Sequence, residues 1–262
     1  MRLVYLFLAA SLPALVYGQS FDVATIKVNT TTLNGNRSIN WAPGGQLNCV
    51  NVPLRMLMQF AYDLRDYQFT NLPGWADTEG YDIIAKISPD AVAQDPPTNS
   101  QAAQALLRKR TQALIAERFG LVLHSEEREM PIFTLVVAKG GPKLGEGKPA
   151  DNLPTRGPDG PQMTWNNTRV ICKNCTMQRF CDSMLSARMR RTVLDKTGLT
   201  GAYEFKMEFV PDEVATKASA ETDTTGPSFL TALQEQLGLR LEAGKGPVKI
   251  FVVDKVEKPS AN

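Results

Sequence analysis

The sequence predicts an α+β fold, built as a tandem duplication of a β-α-β-α-β-β unit with mixed or antiparallel sheets. One block returns within the chain, because Leu47–Leu57 aligns with Val170–Phe180 and both carry Cys and Asn at the same two positions. The match continues further on, where Glu117–Leu123 is echoed by Glu235–Leu241. The copies lie 123 residues apart at the first block and 118 at the last. Such a drift is expected of a repeat whose loops have changed length.

Residue periodicity predicts each element of the first copy, since alternating apolar and polar residues indicate a strand and apolar residues three or four apart indicate a helix. Pro53 suits the first turn of a helix, and Gly120 suits the position after the last turn. In chain order we expect strand Phe21–Lys27, loop Asn29–Asn40, strand Gln46–Val52, helix Pro53–Asp63, short strand Tyr67–Thr70, turn Leu72–Trp75, strand Tyr81–Ile87, a Pro-, Asp- and Ala-rich loop, helix Gln101–Phe119, and an antiparallel strand pair formed by Leu121–Glu127 and Ile132–Lys139.

The second copy repeats this plan after a segment rich in glycine and proline, which marks a connector. Its predicted elements are strand Asn167–Lys173, helix Thr176–Ser186, turn Lys196–Gly201, strand Tyr203–Phe209, helix Ser228–Leu237, and strands Leu239–Glu242 and Val248–Val256. The chain therefore divides into a signal peptide (1–18), a first α+β repeat (19–139), a connector (140–166) and a second α+β repeat (167–262).

The N-terminus has the pattern of a secretory signal. Arg2 precedes an apolar run, Leu3–Val16, and Val16–Gly18 resembles a cleavage site. We expect a mature chain that begins near Gln19, has no transmembrane span, and is exported to the periplasm or the medium. The formal net charge is only +2 and no long block of Lys and Arg occurs, so nucleic acid is not an expected partner.

The four cysteines are disulfide candidates, because thiols of an exported chain meet an oxidising compartment. They are Cys49, Cys172, Cys175 and Cys181, and the sequence does not choose among their possible pairings. The spacing of the last three resembles a metal cluster. A single histidine and the oxidising compartment argue against that interpretation, so we expect neither a metal site nor a cofactor.

No catalytic residue can be named from the sequence. His124 is the sole histidine, so any Ser-His or Cys-His pair would have to use it, yet it falls on a predicted surface strand. Two carboxylate pairs could act as in glycoside hydrolysis, Asp82 with Glu204 and Asp195 with Asp254. Asp82 and Glu204 hold equivalent positions, which the duplication explains more simply. The sequence favours a protein that is not an enzyme.

The second copy has features that the first lacks, and these are the candidate ligand-binding residues. The run Asp195–Gly201 could present backbone N–H groups to an anion, although a tight turn between helix and strand is the simpler interpretation. Just before it stands a small basic cluster, Arg188, Arg190 and Arg191. The candidates are Asp195, Lys196, Thr197, Gly198, Thr200, Gly201, Arg188 and Arg191.

Several runs together resemble an uncharacterised family of exported proteins. These runs are Phe21–Lys27, Gly74-Trp75 with Tyr81–Ile83, Glu117–Leu121, Ala138–Leu144, Asp195–Gly201 and Lys258–Asn262. The family is classed as a domain of unknown function, is expanded in soil acidobacteria, and also occurs fused to BlaR-type sensor metallopeptidases. The resemblance implies an extracytoplasmic sensing or ligand-binding part, but it supplies no catalytic residues, and this chain lacks a His-Glu-x-x-His motif.

Three functions remain open from the sequence. The leading hypothesis is a non-enzymatic extracytoplasmic binding or sensor-like module whose partner is an unknown small ligand or envelope protein. The alternatives are a secreted hydrolase that acts on an extracellular polymer or ester, and an envelope scaffold or assembly protein. A duplicated unit usually packs copy against copy, so we expect any special site to lie where the copies meet.

Overall fold

A computed structural model describes residues 20–31, 35–42, 44–96, 101–145, 149–150, 160–211 and 226–259. The predicted signal peptide lies outside the described residues, as does much of the predicted connector. Helices and three sheets, two of them antiparallel and one mixed, confirm the predicted α+β class.

The first lobe is an antiparallel sheet of order β1-β5-β3-β2 with helices packed on it. Its buried apolar residues, among them Leu57, Ile83 and Ile115, form one core. The elements of this half are β1 Val23–Asn29, β2 Ser38–Ala42, β3 Gln46–Pro53, α1 Leu54–Tyr62, a 3₁₀ turn Asp66–Gln68, β4 Phe69–Thr70, α2 Trp75–Thr78, β5 Gly80–Lys86, α3 Pro89–Gln94, α4 Gln101–Phe119 and β6 Val122–Val137.

The second lobe is an antiparallel sheet of order β10-β8-β7 with its own apolar core around Phe180, Met184 and Leu233. A helix in this lobe changes to wider π-helical turns and back again. The elements are β7 Gln162–Trp165, β8 Arg169–Thr176, α5 Met177–Arg179, a π-helical segment Phe180–Leu185, α6 Ser186–Met189, β9 Val193–Asp195, β10 Ala202–Glu208, α7 Phe229–Leu237 and β11 Leu239–Lys255.

Two long strands join the lobes, and here the sequence-based prediction of hairpins is wrong. Leu121–Glu127 and Ile132–Lys139 do not pair with each other but belong to the single strand β6, and the two predicted strands at the C-terminus form the single strand β11. Met130-Pro131 suggested a turn, but Pro131 lies within β6, and β11 contains a proline of its own, Pro247. Each proline lies where its long strand has no second neighbour among the described strands, so the strand is locally an edge strand, which tolerates proline.

The antiparallel pairing of β6 with β11 interlocks the two halves of the chain. The start of β6 pairs with the end of β11, as in His124 with Val252, and the end of β6 pairs with the start of β11, as in Val137 with Leu239. The two outer strands of this sheet also pair across the halves of the chain. Strand β4 lies parallel to β11, and strand β9 lies parallel to β6. Each lobe therefore takes part of its core from the other half of the chain. The duplication itself stays a prediction.

Several short elements differ from the sequence-based prediction because tertiary pairing outweighs local composition. Strand β2 includes residues of the predicted polar loop, and it forms because Ser38–Ala42 pairs along β3. Helix α3 replaces another predicted loop, since Ser88 accepts a hydrogen bond from the Ala91 N–H at its start. Helix α2 occupies part of the predicted turn before β5. Strand β7 falls inside the predicted connector, and β9 was not predicted.

A shared backbone feature explains the Asn that the two copies have in common. Asn51 and Asn174 are buried and adopt a left-handed backbone, with φ of 50° and 52°, beside an irregularity in the register of β3 and β8. Asparagine tolerates this conformation better than most residues. The Asn51 N–H donates to Asp82 Oδ1 at 2.9 Å, and Asn29 Nδ2 donates to the same carboxylate. Asp82 therefore has a structural role, because it binds the backbone at Asn51 and the side chain of Asn29.

Candidate functional site

Two adjoining cavities open where the two lobes meet, a region that we call the seam. The larger cavity has a volume of about 430 Å³ and the smaller about 250 Å³. Tyr67 and Arg190 line both. The larger is lined by Gln59, Asp63, Leu64, Arg65, Asp66, Tyr67, Ser186, Ala187 and Arg190, and the smaller by Tyr67, Met130, Pro131, Arg190, Arg191, Thr192 and Val248.

The cavities lie at the C-terminal ends of two helices, one from each lobe. Helix α1 ends at Asp63 and α6 ends at Arg190, and both residues adopt a left-handed backbone, with φ of 55° and 50°. This conformation stops each helix and turns the chain away from its axis. Because α1 follows β3 as α5 and α6 follow β8, the two helix ends occupy corresponding places in the lobes. From the sequence, any special site was expected to lie where the two copies meet, and the seam lies between the corresponding lobes.

One wall of the seam is fixed by a side chain that crosses between the lobes. Arg65 Nη2 donates to the carbonyl oxygens of Asp182 at 2.6 Å and Ser183 at 3.2 Å, both in the π-helical segment. Gln68 Nε2 donates to the Lys249 carbonyl oxygen at 3.2 Å. Single π-helical turns are frequent at functional sites. These bonds hold the 3₁₀ turn, and with it Tyr67, against the second lobe.

Both acidic residues of the larger cavity have arginine partners. Asp63 accepts two hydrogen bonds from Arg108, at 2.7 and 2.8 Å, and Asp66 lies 3.1 Å from Arg55. The Arg55 pKa is raised, mainly because its side chain donates to Asp77 and also because Asp66 is near. The two carboxylates are therefore neutralised by residues of their own lobe.

In the described part of the chain, Arg190 and Arg191 have neither a carboxylate partner nor, unlike Arg65, a carbonyl partner. Within the described ranges, no carboxylate lies within 4.0 Å of Arg190 or Arg191. The Arg191 guanidinium carbon lies 5.7 Å from the centroid of the Phe133 ring. Arg188, by contrast, stacks on Phe209 and Phe229 and lines neither cavity. Uncompensated positive charge therefore concentrates at Arg190 and Arg191.

The predicted ligand-binding run Asp195–Gly201 forms a hydrogen-bonded turn away from the cavity walls. Asp195 Oδ1 accepts from the Thr197 N–H at 2.9 Å and from its hydroxyl at 2.7 Å, and Thr197 Oγ1 accepts from the Leu199 N–H at 3.1 Å. The Lys196 N–H donates to Leu135. These N–H groups are already used inside the protein. An anion site at this turn stays a prediction that the geometry does not favour.

Of the eight predicted ligand-binding residues, Arg191 is the one that lines a cavity. Arg190 belongs to the predicted basic cluster but was not among the predicted ligand-binding residues, although it lines both cavities. No sequence pattern indicated that Tyr67 and Arg65 belong to this site, because they come from the other half of the chain. Only the interlocked strands bring the two segments together.

His124 pairs with a carboxylate on the neighbouring long strand. Its Nδ1 lies 2.9 Å from both carboxylate oxygens of Asp254, and the two side chains are 54% and 43% exposed. In the described part of the chain no hydroxyl or thiol bonds to the imidazole, so the pair lacks a nucleophile. Of the proposed carboxylate pairs, Asp82 is tied to Asn29 and Asn51 while Glu204 lies exposed on the other lobe's sheet.

All four cysteines are buried and none is disulfide-bonded in the structure, and the side chains of Cys172 and Cys175 interact. Cys172 donates a hydrogen bond to Cys175, which is the main reason that the Cys175 pKa lies below its ordinary value, and Arg179 lowers it further. Cys175 Sγ also lies 3.0 Å from the Gln162 carbonyl oxygen. Cys49 lies in the core of the first lobe, whereas the other three cysteines lie in the core of the second, so we do not expect Cys49 to form a disulfide with any of them.

We expect Cys172 and Cys175 to form a disulfide when the protein is held in an oxidising compartment. Each thiol would lose one hydrogen, and the pair together would pass two electrons to an external disulfide, which is reduced to two thiols. The lowered pKa of Cys175 favours its attack on that disulfide. Peptide mass spectrometry after alkylation without reductant should find this pair unalkylated and lighter by two hydrogens. Cys49, the internal control, should be alkylated once the chain is unfolded. Full alkylation of Cys172 and Cys175 would refute the pairing.

Metal and membrane sites have no support in the described ranges. No group of three or more His, Cys, Asp or Glu side chains there could hold a metal ion. No helix among these residues is long and apolar enough to cross a membrane.

The comparisons with known proteins place the chain in a family without naming an activity. No curated protein and no solved structure matches the chain. One family model matches residues 55–256, which include both cavities and both long strands, and its description is "Protein of unknown function (DUF3738)". The chain belongs to the DUF3738 family.

Proposed function

We propose that the protein is an exported, non-enzymatic binding or sensor-like module that takes a small ligand at the seam. The observation that carries the proposal is the pair of adjoining cavities whose walls come from both halves of the chain and meet at Tyr67 and Arg190. Ligand sites are concave, few in a protein, and often lie between structural units. A ligand at this place would contact both lobes at once, as a sensor requires.

Export is part of this proposal and rests on the sequence. The apolar run Leu3–Val16 and the small residue Gly18 before Gln19 fit a signal peptide. The duplication belongs to the proposal too, since a repeated unit accounts for the matching strand order around β6 and β11. Intact-mass measurement of the protein recovered from outside the cytoplasm should give a chain that begins at Gln19.

The hydrolase alternative keeps one observation in its favour, the contact of His124 with Asp254. A base that is oriented by a carboxylate normally acts on a nearby nucleophile, and no hydroxyl or thiol bonds to this imidazole within the described residues. Turnover on an esterase, glycosidase or peptidase panel that is lost in His124→Ala would overturn the non-enzymatic part of the proposal.

A cavity-filling variant tests the binding site. Ala187 is exposed and lines the larger cavity, so Ala187→Trp should fill the cavity without disturbing a core. We expect compounds that raise the melting temperature of the wild-type protein, in a screen of sugars, cell-wall fragments and organic acids, to lose their effect on this variant. Leu230→Trp is the matched control, because Leu230 is 54% exposed and lies on α7 outside both cavities. Equal responses in the two variants would place binding outside the larger cavity.

A further inference from the structure

From the charges at the seam we infer that its ligand is a small organic anion, with a carboxylate or phosphate group held by Arg190 and Arg191 and an apolar body against Met130, Pro131 and Val248. This inference rests on the proposed function and names the chemistry that the same site would recognise. It follows from three observations: the balance of charge, the backbone of Arg190, and the composition of the smaller cavity.

The smaller cavity has a net positive lining, whereas the acidic residues of the larger cavity are paired with arginines. Asp63 and Asp66, in the larger cavity, are each bound by an arginine of the first lobe. The smaller cavity contains Arg190 and Arg191 and no acidic residue in its lining. Guanidinium groups bind carboxylate and phosphate oxygens through short, charge-assisted hydrogen bonds. An anion at the junction of the cavities would supply the negative charge that the described residues do not place there.

The backbone of Arg190 is a second, independent observation. Its φ of 50° and ψ of 34° are left-handed, a conformation that disfavours a side chain and that helix ends usually give to glycine. Asp63 holds the corresponding place in the first lobe, where its side chain is bound by Arg108. Arg190 makes no such ion pair with another described residue, so the fold gains little from keeping this side chain there. Strained residues of this kind cluster at binding sites.

The smaller cavity also indicates what the anionic group is attached to. Met130, Pro131 and Val248 give it an apolar wall, and Tyr67 and Thr192 provide hydroxyl groups at its edge. Thr192 Oγ1 lies 3.4 Å from the Tyr67 hydroxyl. A fully hydrated inorganic ion would leave the apolar wall unused. A short aliphatic or aromatic acid would cover this wall and place its charged group beside the two arginines.

A matched set of probes tests the inference by calorimetric titration of the mature protein. Hexanoate and hexanamide share an apolar body and differ in charge, while inorganic phosphate and hexyl phosphate test the phosphate group with and without that body. We expect hexanoate or hexyl phosphate to bind, and hexanamide and inorganic phosphate to bind at least about tenfold more weakly. The stronger of the two organic anions identifies the charged group.

Single substitutions test whether Arg190 and Arg191 hold the anionic group of the ligand. Arg190→Gly and Arg191→Gln should each weaken binding of the organic anion by about tenfold or more, while Lys173→Gln, which removes an exposed cation outside both cavities, should not. Arg190→Gly should at the same time melt at a higher temperature than the wild type, because glycine relieves the left-handed backbone. A fold damaged by the substitution would melt lower, so loss of binding and loss of folding are distinguishable.

Different results overturn different claims. Equal binding of hexanoate and hexanamide, with both lost in Ala187→Trp, would refute recognition of the anion and leave the seam as the binding site. Binding of the organic anions that survives in Arg190→Gly and Arg191→Gln would refute the assignment to these arginines. If none of the four probes binds, the anion inference fails. The proposed function fails only if the wider screen also yields no compound whose binding is weakened by Ala187→Trp in the larger cavity or by Arg191→Gln in the smaller one.

Discussion

Gly238→Ala is expected to lower the free energy of unfolding by about 2–5 kcal/mol, the sum of a left-handed backbone and an overpacked contact. Gly238 follows α7 with φ of 64°, and a Cβ atom there would lie 2.0 Å from the Gly141 carbonyl oxygen. The chain after β6 crosses this helix end closely, since the Ala138 N–H donates to Gly238 and the Lys143 N–H donates to Leu237. Both backbones are fixed, so neither can move aside. Urea unfolding measures the loss.

Gly120→Ala is the matched control, because Gly120 closes α4 as Gly238 closes α7. Its φ is 57°, but the nearest atom to an added Cβ is a side-chain oxygen of Glu257 at 3.7 Å. We expect it to lose only the backbone contribution, about 1–2 kcal/mol. Equal losses in the two variants would show that the chain after β6 does not rest on α7, and would contradict the interlocked arrangement of the lobes.

Arg110→Ala is expected to lower the free energy of unfolding by about 3–5 kcal/mol, as is usual when one partner of a buried ion pair is removed. The Arg110 guanidinium binds the Asp95 carboxylate through two contacts of 2.6 and 2.8 Å, and the arginine side chain is only 3% exposed. The pair joins α4 to the segment after α3. Without the arginine, the Asp95 carboxylate is left in a largely dry environment. Thermal and urea unfolding both report this loss.

Arg108→Ala makes the same chemical change on the same helix and is the control. Arg108 pairs with Asp63, whose side chain is 70% exposed, so water replaces most of the interaction. A pair of this kind contributes less than about 1 kcal/mol. If Arg108→Ala destabilised the protein as much as Arg110→Ala, burial would not be the cause of the loss, and the buried contact of α4 with Asp95 would be wrong.

Much of the fold could be predicted from the sequence because local patterns are strong where one face of an element is buried. Helix α4, Gln101–Phe119, has its predicted bounds, and β3, β5 and β10 fall within one or two residues of theirs. Prediction failed for the long strands, since Met130-Pro131 and the glycines near Pro247 are local turn signals. Pairing over more than 100 residues overrides those signals, and periodicity within a window contains no information about it.

The candidate site shows the same limit. The sequence pointed to the second copy, and its basic cluster does reach the seam through Arg190 and Arg191. The run Asp195–Gly201 has the composition of an anion-binding loop, yet its aspartate and threonine side chains occupy the N–H groups that an anion would need. Composition cannot distinguish a loop that presents its N–H groups from one that satisfies them internally. Tyr67 joins the site only through the pairing of distant strands.

The central claim is that ligand binds at the seam, and hydrogen–deuterium exchange tests it most directly. The mature protein would be compared with and without a saturating amount of the tightest-binding compound found for the wild type. We expect slower exchange in residues 63–67 and 186–192 in the same complex, because these two segments hold most of the lining of the larger cavity and part of the lining of the smaller one. Protection confined to residues 195–201, or to one lobe alone, would contradict it.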